Sequence, residues 1–508
     1  MVLSYPLKVL AVSGWRLGNG DSGSFRKLAL KGIPRLFLAE MFLNDVHSQL
    51  NPTSVTDVVR PTTLEALCEV VKQAARQGVS LSVAGARHAM GGQQFATGQR
   101  HVDMTGLHRV LHSDASLGLL RIEAGANWHH IITASHQMPA PGGGTWAIRQ
   151  KQTGVDEVTL GGSISGNAHG RGLLMQPLGA DIEDLTLVDA QGEVLLCSRS
   201  QNAELFSLVV GGYGLFGLIY AATLRLTPRQ RVRRMVDVLD LTDAMNAVYR
   251  RVDDHCLYGD FQFVIDPQDD TFLQRGVFAC YKPTSEVEAP GTVNADLQPE
   301  VWLQLLKLAH DDKAQAFKLY SQHYLGTHGQ CYWADTMQLS TYIPSYADYL
   351  ERASPADQPA GPKQTLVIGE LYVPRDQIAA FMTQAARVLK AHGVEVIYGT
   401  IRAILKDDTS FLPWAKDDFA CVIFNLRTVH TDEGKARTAE AFRGLIDAAL
   451  VLGGSYFLTY HRYATRAQVV QAYPQFEAFL KHKRHFDPQE RFTSDWYRHH
   501  VALMGRQP

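Results

Sequence analysis

The sequence lacks an excess of either charge: 49 Lys and Arg stand against 51 Asp and Glu in 508 residues, a formal net charge of -2. Without a broad positive field there is no electrostatic reason to gather a polyanion, so nucleic acid is not an expected partner. It also lacks paired cysteines. The six cysteines, Cys68, Cys197, Cys256, Cys280, Cys331 and Cys421, form no CxxC pair and no short disulfide framework. That usage fits a reducing compartment, and a cytoplasmic location is expected. No apolar run reaches the roughly 18 residues of a spanning helix. The opening MVLSYPLKVLAVSGW is interrupted by Lys8 and has no basic segment before its apolar part, which is poor signal-peptide anatomy. IPRLFLAEMFL, Ile33 to Leu43, reads as a helix packed on its own domain, with a surface that touches lipid or a partner as the alternative. The paired histidines His129/His130 and His499/His500 lack metal-ligand spacing such as HExxH, and no metal is expected.

What is present is ordinary globular composition, 45% hydrophobic and 20% charged, with length for two or three cores. From Pro61, TTLEALCEVVKQAARQG places Thr62 and Glu65 at capping-box spacing and then apolar residues at helical intervals until Gly78. VSLSVAG follows as a short strand. A helix is predicted from about Trp128, a hairpin over IEDLTLVDAQGEVLLCS, a helix over SQNAELFSLVV and a closing strand over LIYAATLRLTP. Beyond Arg229, long helical stretches mix with strands such as FQFVID, TLVIGELYVP, FACVIFNL and SYFLTYHRYA. ASPADQPAGPKQ, Ala353 to Gln364, reads as an exposed connection, and the tail from Tyr473 as helical and then irregular. The texture is α+β.

Two glycine-rich segments carry the chemistry. AGARHAMGGQQF leaves the VSLSVAG strand, and VTLGGSISGNAHGRG follows a long loop. Successive backbone N–H groups in such turns form anion-binding nests, so a diphosphate held from two sides is the functional reading and a pair of tight turns the bland one. If the second segment is extended, Ser163, Ser165, Asn167 and His169 alternate onto one side. GYGLFG, Gly212 to Gly217, satisfies GxGxxG, but a helix precedes it and a strand follows, the reverse of the dinucleotide fingerprint.

These segments, with NAELFSLVVGGYGLFGLIYAATLRLTP and the late FDPQERFTSDWY, resemble in the same order the PCMH-type FAD-binding domain of the vanillyl-alcohol oxidase superfamily. The polyol and sugar-lactone oxidases and the decaprenylphosphoryl-ribose oxidases are the branches most alike. The resemblance implies a two-part FAD-binding domain at 53–228, after an N-terminal extension at 1–52. It implies a substrate-binding cap at 229–464 with an antiparallel sheet flanked by helices, and a segment at 465–508 that returns to the flavin domain. It places FAD against Gly85, Ala86, Arg87, His88 and Ala89, against Gly161, Gly162, Ser163, Ser165, Asn167, His169 and Gly170, and against Gly217 and Ile219. His88 matches the histidine that many members bond to the flavin 8α-carbon, although here arginine precedes it and no serine follows. A second covalent link is not expected, because KQTGVDEVTLGG holds no cysteine.

The strands of the second half supply candidate catalytic groups: Glu370 with Tyr372, Arg402 with Tyr398 and Thr400, and Tyr460, His461 and Arg462. A polar residue in a sheet is by default structural, but three in succession in an apolar strand invite a catalytic reading. Strict alternation would turn Tyr460 and Arg462 toward the flavin, and His461 away, or the reverse. Relatives often present lysine at this last strand, which opens the identity of the base. By resemblance, the function is oxidation of an alcohol, polyol or sugar-type substrate by hydride transfer to flavin N5, with dioxygen regenerating the flavin. The alternatives are a dehydrogenase using a quinone or carrier protein, and a flavin-binding module without turnover. The long middle region reads as room for a bulkier substrate or as a homodimer surface.

Overall fold

A computed structural model describes residues 41–285, 299–340 and 361–505. Ala353–Ala360 of the proline-rich connection and residues 33–40 of the proposed N-terminal helix lie outside them. Met41–Leu43, the end of that stretch, is a strand paired with Thr53–Val55 rather than part of a helix.

Local chemistry explains the first elements. The helix Leu64–Gln77 is capped by Thr63, whose side chain accepts from Ala66 N, and is ended by Gly78 in the left-handed region at φ 67°. The cap therefore sits one residue after Thr62, the sequence-read position. The helix feeds the strand Leu81–Ala84, which runs parallel to Arg100–Asp103 in a three-stranded sheet. Its core is Leu67, Val71, Leu81 and Val102, closed from the far end of the chain by Phe492. Leu81 N donates to Arg491 O at 2.6 Å and Thr493 N to Leu81 O at 2.9 Å. The tail is more regular than its sequence suggests, with helices at Phe476–Phe486 and Asp495–Leu503.

The hairpin Ile182–Val188 with Val194–Ser198 pairs antiparallel, as its turn residues predict. It joins Leu218–Arg225, Leu119–Glu123 and Val110–Asp114 in a five-stranded antiparallel sheet. A helix, Ala203–Val209, precedes GYGLFG, and the strand Leu218–Arg225 follows it, the order that excludes a dinucleotide fingerprint.

A second, eight-stranded sheet begins at Arg231. Its spatial order is Cys331–Trp333, Arg231–Asp240, Arg275–Thr284, Tyr258–Phe263, Val396–Ile404, Phe419–Val429, Gln364–Pro374 and Ser455–Tyr456. Every pairing within it is antiparallel. Helices accompany it, among them Pro299–Asp311, Lys313–Gly326, Ile378–His392 and Asp432–Val451. Residues 40–508 form one compact unit. Among the described residues no helix is long and apolar enough to cross a membrane, and no disulfide joins the six cysteines.

Burial of histidine has a measurable consequence. Burial lowers His101 to about 4, and His461 and His500 to about 3. An unfolded chain protonates these rings near pH 6.5, whereas the folded chain resists until pH 3 to 4. Their contribution to stability is therefore complete above about pH 6.5 and is lost as pH falls toward the folded values, by about 1.4 kcal/mol per pH unit per ring. The expected result is an unfolding midpoint that drops steeply between pH 6.5 and 4. A midpoint unchanged down to pH 5 would contradict this burial.

Candidate active site

The two glycine-rich segments meet. A Cβ on Gly85 would lie 2.0 Å from Thr159 Oγ1, so only glycine lets the first loop lie against the residue that opens the second. Thr159 caps Leu160–Gly166, a short helix, by accepting from Gly162 N. The second segment is thus helical through Gly166, and the extended alternation read for Ser163, Ser165, Asn167 and His169 does not hold. The first loop turns at Arg87, which takes φ 60°. It is clamped from outside: Gly91 N donates to Thr459 O at 3.0 Å, Gln93 Nε2 to Thr459 O at 2.9 Å, and Asn51 Nδ2 to Met90 O at 2.7 Å.

Between these segments and the eight-stranded sheet lies a cavity of about 1120 Å³, larger than the roughly 300–1,000 Å³ of ordinary small-ligand sites. Gly85 to Ala89, Gly161, Gly162, Ser163, Ser165, His169, Gly217 and Ile219 line it, with Glu370, Arg402 and Tyr460 from the other side. Six sequence-read candidates do not, among them Tyr372, whose hydroxyl donates to Glu370 Oε2 at 2.7 Å, and Thr400, whose hydroxyl donates to Phe261 O at 3.2 Å. Asn167, in the left-handed region, donates to Asp407 Oδ2 and accepts from Gly179 N, a purely structural use. Gly170 backs onto Lys151 O, 2.8 Å from where its Cβ would be. His461 is buried between Phe442 and Tyr463, with ring centroids at 4.3 and 4.8 Å. Arg462 reaches Asn51 Oδ1 at 3.3 Å. His461 faces away, as alternation with Tyr460 inward requires, whereas Arg462 departs from that rule because the strand ends at Tyr456. Residues 457–464 are irregular, and a two-residue period has no force there.

His88 faces the cavity and its Nδ1 lies 2.9 Å from His47 Nε2. Burial, then the neighbouring His47 and Arg87, lowers it to about 3, so at neutral pH it is an uncharged imidazole with nucleophilic nitrogen.

On the sheet side, Glu370 is the hub. It accepts from Tyr372 OH at 2.7 Å and Tyr460 OH at 2.8 Å, and its Oε2 lies 3.0 Å from His169 Nε2. The other His169 nitrogen faces Gly170 O at 3.0 Å. Both ring nitrogens thus face acceptors, and His169 can donate to Glu370 through Nε2. Burial pushes the carboxyl upward, but the charge of His169 and the three donors outweigh it and hold Glu370 below the usual carboxylate range. Burial and the Glu370 charge push the Tyr460 phenol well above its ordinary value, so it stays protonated. Trp414 stacks on Tyr372 at 4.5 Å and fixes this corner. Cys421 Sγ is 3.6 Å from His169 Nε2, and the potential ligand atoms of His169, Glu370 and Cys421 lie within 4.8 Å of one another. The thiol is pushed well up by burial and Glu370 is already satisfied by hydrogens, which suits a proton network better than a metal.

Several wall residues escape a sequence reading. Arg171, Arg234, Asp260 and Tyr281 meet at the far end of the cavity, beside Tyr320 and Tyr324. Only GRG after His169 and the tyrosine-rich KLYSQHYLG hint at them.

The residues fit a flavin dinucleotide. The cavity is lined by the two loops, and the buried polar atoms Gln93 Oε1, Gln94 Oε1 and Thr153 Oγ1 on its wall have no partner among the described residues. Such atoms are costly unless a ligand meets them.

Comparison with known proteins agrees. Residues 56–198 match the FAD binding domain family. The chain is 31% identical to L-gulono-1,4-lactone dehydrogenase of Mycobacterium tuberculosis over 220 residues, 43% of this chain and 48% of that protein. It is 28% identical to L-gulonolactone oxidase of Bos taurus over 194 residues, 36% of this chain and 42% of that protein. It is also 28% identical to decaprenylphosphoryl-beta-D-ribose oxidase of Mycolicibacterium smegmatis over 187 residues, 36% of this chain and 39% of that protein. The chain spans about half the length, or less, of the curated relatives it matches. Residues 56–198 are an FAD binding domain of the PCMH type, the kind that serves flavin-dependent oxidoreductases.

Proposed function

We propose that the chain is an FAD-dependent oxidoreductase that oxidises the CH–OH group of an alcohol, polyol or sugar-type substrate. In this reading residues 53–228 hold the cofactor, covalently through His88, and the sheet of 229–464 forms the substrate wall. Bound flavin supplies a hydride acceptor at N5. The observation that carries the reading is a buried Glu370 hydrogen-bonded to a cavity-lining tyrosine and to His169 from the cofactor segment.

The protein's part is to take the alcohol proton. A substrate hydroxyl donates to the free lone pair of Tyr460 Oη while the Tyr460 proton, already aimed at Glu370 Oε1, moves to the carboxylate. Glu370 is the terminal acceptor and Tyr460 the relay. His169 and Tyr372 keep the carboxylate oriented, and burial keeps water from competing for it. His461, off the wall, has no part.

Dioxygen is the acceptor we assign to the second half-reaction. A dehydrogenase using a quinone or carrier protein is the second reading, and the relative named a dehydrogenase favours it. Anaerobic addition of an alcohol panel followed by air separates them: rapid return of the yellow colour marks an oxidase, and persistent bleaching a dehydrogenase. No bleaching by any member would leave only a flavin-binding module. Tyr460→Phe is expected to slow anaerobic reduction by about 10- to 100-fold with the oxidised spectrum intact. An unchanged rate would remove Tyr460 from the relay.

A further inference from the structure

The far wall of the cavity carries more positive charge than its own residues neutralise. Arg402 is 8% exposed, and its Nε has no hydrogen-bond partner. No described carboxylate lies within ion-pair distance of its guanidinium. Arg234, 7% exposed, donates to Tyr281 OH at 3.1 Å and Thr327 Oγ1 at 3.0 Å, and lies 4.2 Å over the Tyr332 ring. It too has no described carboxylate partner. Arg171 donates to Met337 O at 2.7 Å and reaches Asp260 only at 3.5 Å, and its Nε is unpartnered. Asp260 is shared with Gln262 at 3.0 Å and with Thr400 at 3.5 Å. Among the described residues the three guanidinium groups thus have one carboxylate within ion-pair distance, Asp260 beside Arg171, and all four residues line the cavity.

A buried cation without a counter-charge is costly, and proteins hold one where a ligand supplies the anion. The planar guanidinium matches the two oxygens of a carboxylate or phosphate. Position sets the spacing. Arg402 is opposite Cys421, which is opposite Tyr372 on the Glu370 strand. Two strand spacings, about 10 Å, separate Arg402 from Tyr372, and Glu370 lies two residues, about 7 Å, along that strand, so the Arg402 and Glu370 backbones are about 12 Å apart.

Resting on the oxidoreductase reading above, we propose that the substrate is an anionic alcohol. A carboxylate or phosphate, seated on Arg402 with Arg171 and Arg234 behind it, lies a few bonds from the carbon that is oxidised at Glu370 and Tyr460. The anion selects the substrate and positions it without taking part in proton transfer.

Two measurements on the full-length holoprotein test this. In the first, inorganic phosphate and glutarate are titrated against the oxidised flavin spectrum and the unfolding midpoint, with glycerol as the neutral probe. Saturable binding of either anion, weakened about tenfold or more in Arg402→Gln, is expected; Arg402→Lys retains part of it. Arg402→Met is expected to unfold at a higher temperature than the parent without ligand, since it removes an unpaired buried charge, and to lose stabilisation by anions. No saturable binding of phosphate or glutarate, or equal binding in Arg402→Gln, overturns the proposal. In the second, anaerobic flavin reduction is compared between sugar acids or sugar phosphates and the parent sugars or polyols. A lower half-saturating concentration for the anionic members, with the preference collapsing in Arg402→Gln, is expected. Whether acids or phosphates win identifies the oxyanion. Equal use of neutral and anionic members overturns the anion subsite while leaving the oxidoreductase reading intact. Anion binding without reduction by any member overturns the oxidoreductase reading and, with it, the assignment of the anion to a substrate.

Discussion

Glu370→Gln is expected to cut anaerobic flavin reduction by about 10²- to 10⁴-fold, the range for losing a positioned base, while the flavin stays bound. Gln is nearly isosteric, but its single carbonyl oxygen can accept from Tyr372 or from Tyr460 and not from both as they are placed, and it cannot take a proton from the relay. The pH profile separates this role from a structural one. His169 and the tyrosine donors hold Glu370 below the ordinary carboxylate range despite burial. The parent's reduction rate should therefore be level from neutral pH down through that range and fall only in stronger acid, as the carboxylate protonates. The stability from those contacts follows the same sign, present at neutral pH and lost as acid protonates the group. A Gln variant that reduces flavin at the parent rate would move the base elsewhere.

The second large effect is expected at the other end of the cofactor. His88→Ala should leave a folded chain whose flavin is released by acid, whereas parent protein should carry it into the pellet. The ring is neutral at physiological pH because burial lowers it to about 3, so its nitrogen is available for bonding without prior loss of a proton to solvent. It lines the cavity on a loop fixed by Thr459 and Asn51, so the truncation removes a side chain and leaves the loop's anchors in place. Flavin still covalently held in His88→Ala would place the attachment at another residue.

Much of this site was legible because its signals are local. Gly78 marks a helix end in the left-handed region that glycine favours, Gly85 a close approach that a Cβ would block, and the hairpin Ile182–Ser198 announces itself by its turn. Where a rule depended on an assumed element, it failed. SISGNAH was read at strand period and is helical to Gly166, so Asn167 turns away to Asp407. SYFLTYHRYA looks like one strand, but pairing ends at Tyr456, after which Tyr460 reaches Glu370 while Arg462, expected on the same side, turns to Asn51.

Of the charged wall only Arg402 was legible, and the rest was hidden for another reason. Arg171, Arg234, Asp260 and Arg402 are far apart in sequence; strand order in the eight-stranded sheet gathers Arg234, Asp260 and Arg402, and Arg171 reaches Asp260 from outside that sheet. Arg234 in VRRMVDV shares the alternation face of the buried Val232 and Val236, and nothing local says that Tyr281 and Tyr332 enclose its charge. No local pattern encodes which strands become neighbours.

Anaerobic mixing of the yellow full-length protein with hydroxylated substrates, followed at the visible flavin band, tests the central claim most directly. The account predicts that at least one alcohol, polyol or sugar-type compound bleaches the band, and that Glu370→Gln, with the same oxidised spectrum, does not respond on that timescale. A chain that purifies without flavin, or a flavin that none of these compounds reduces, would contradict it.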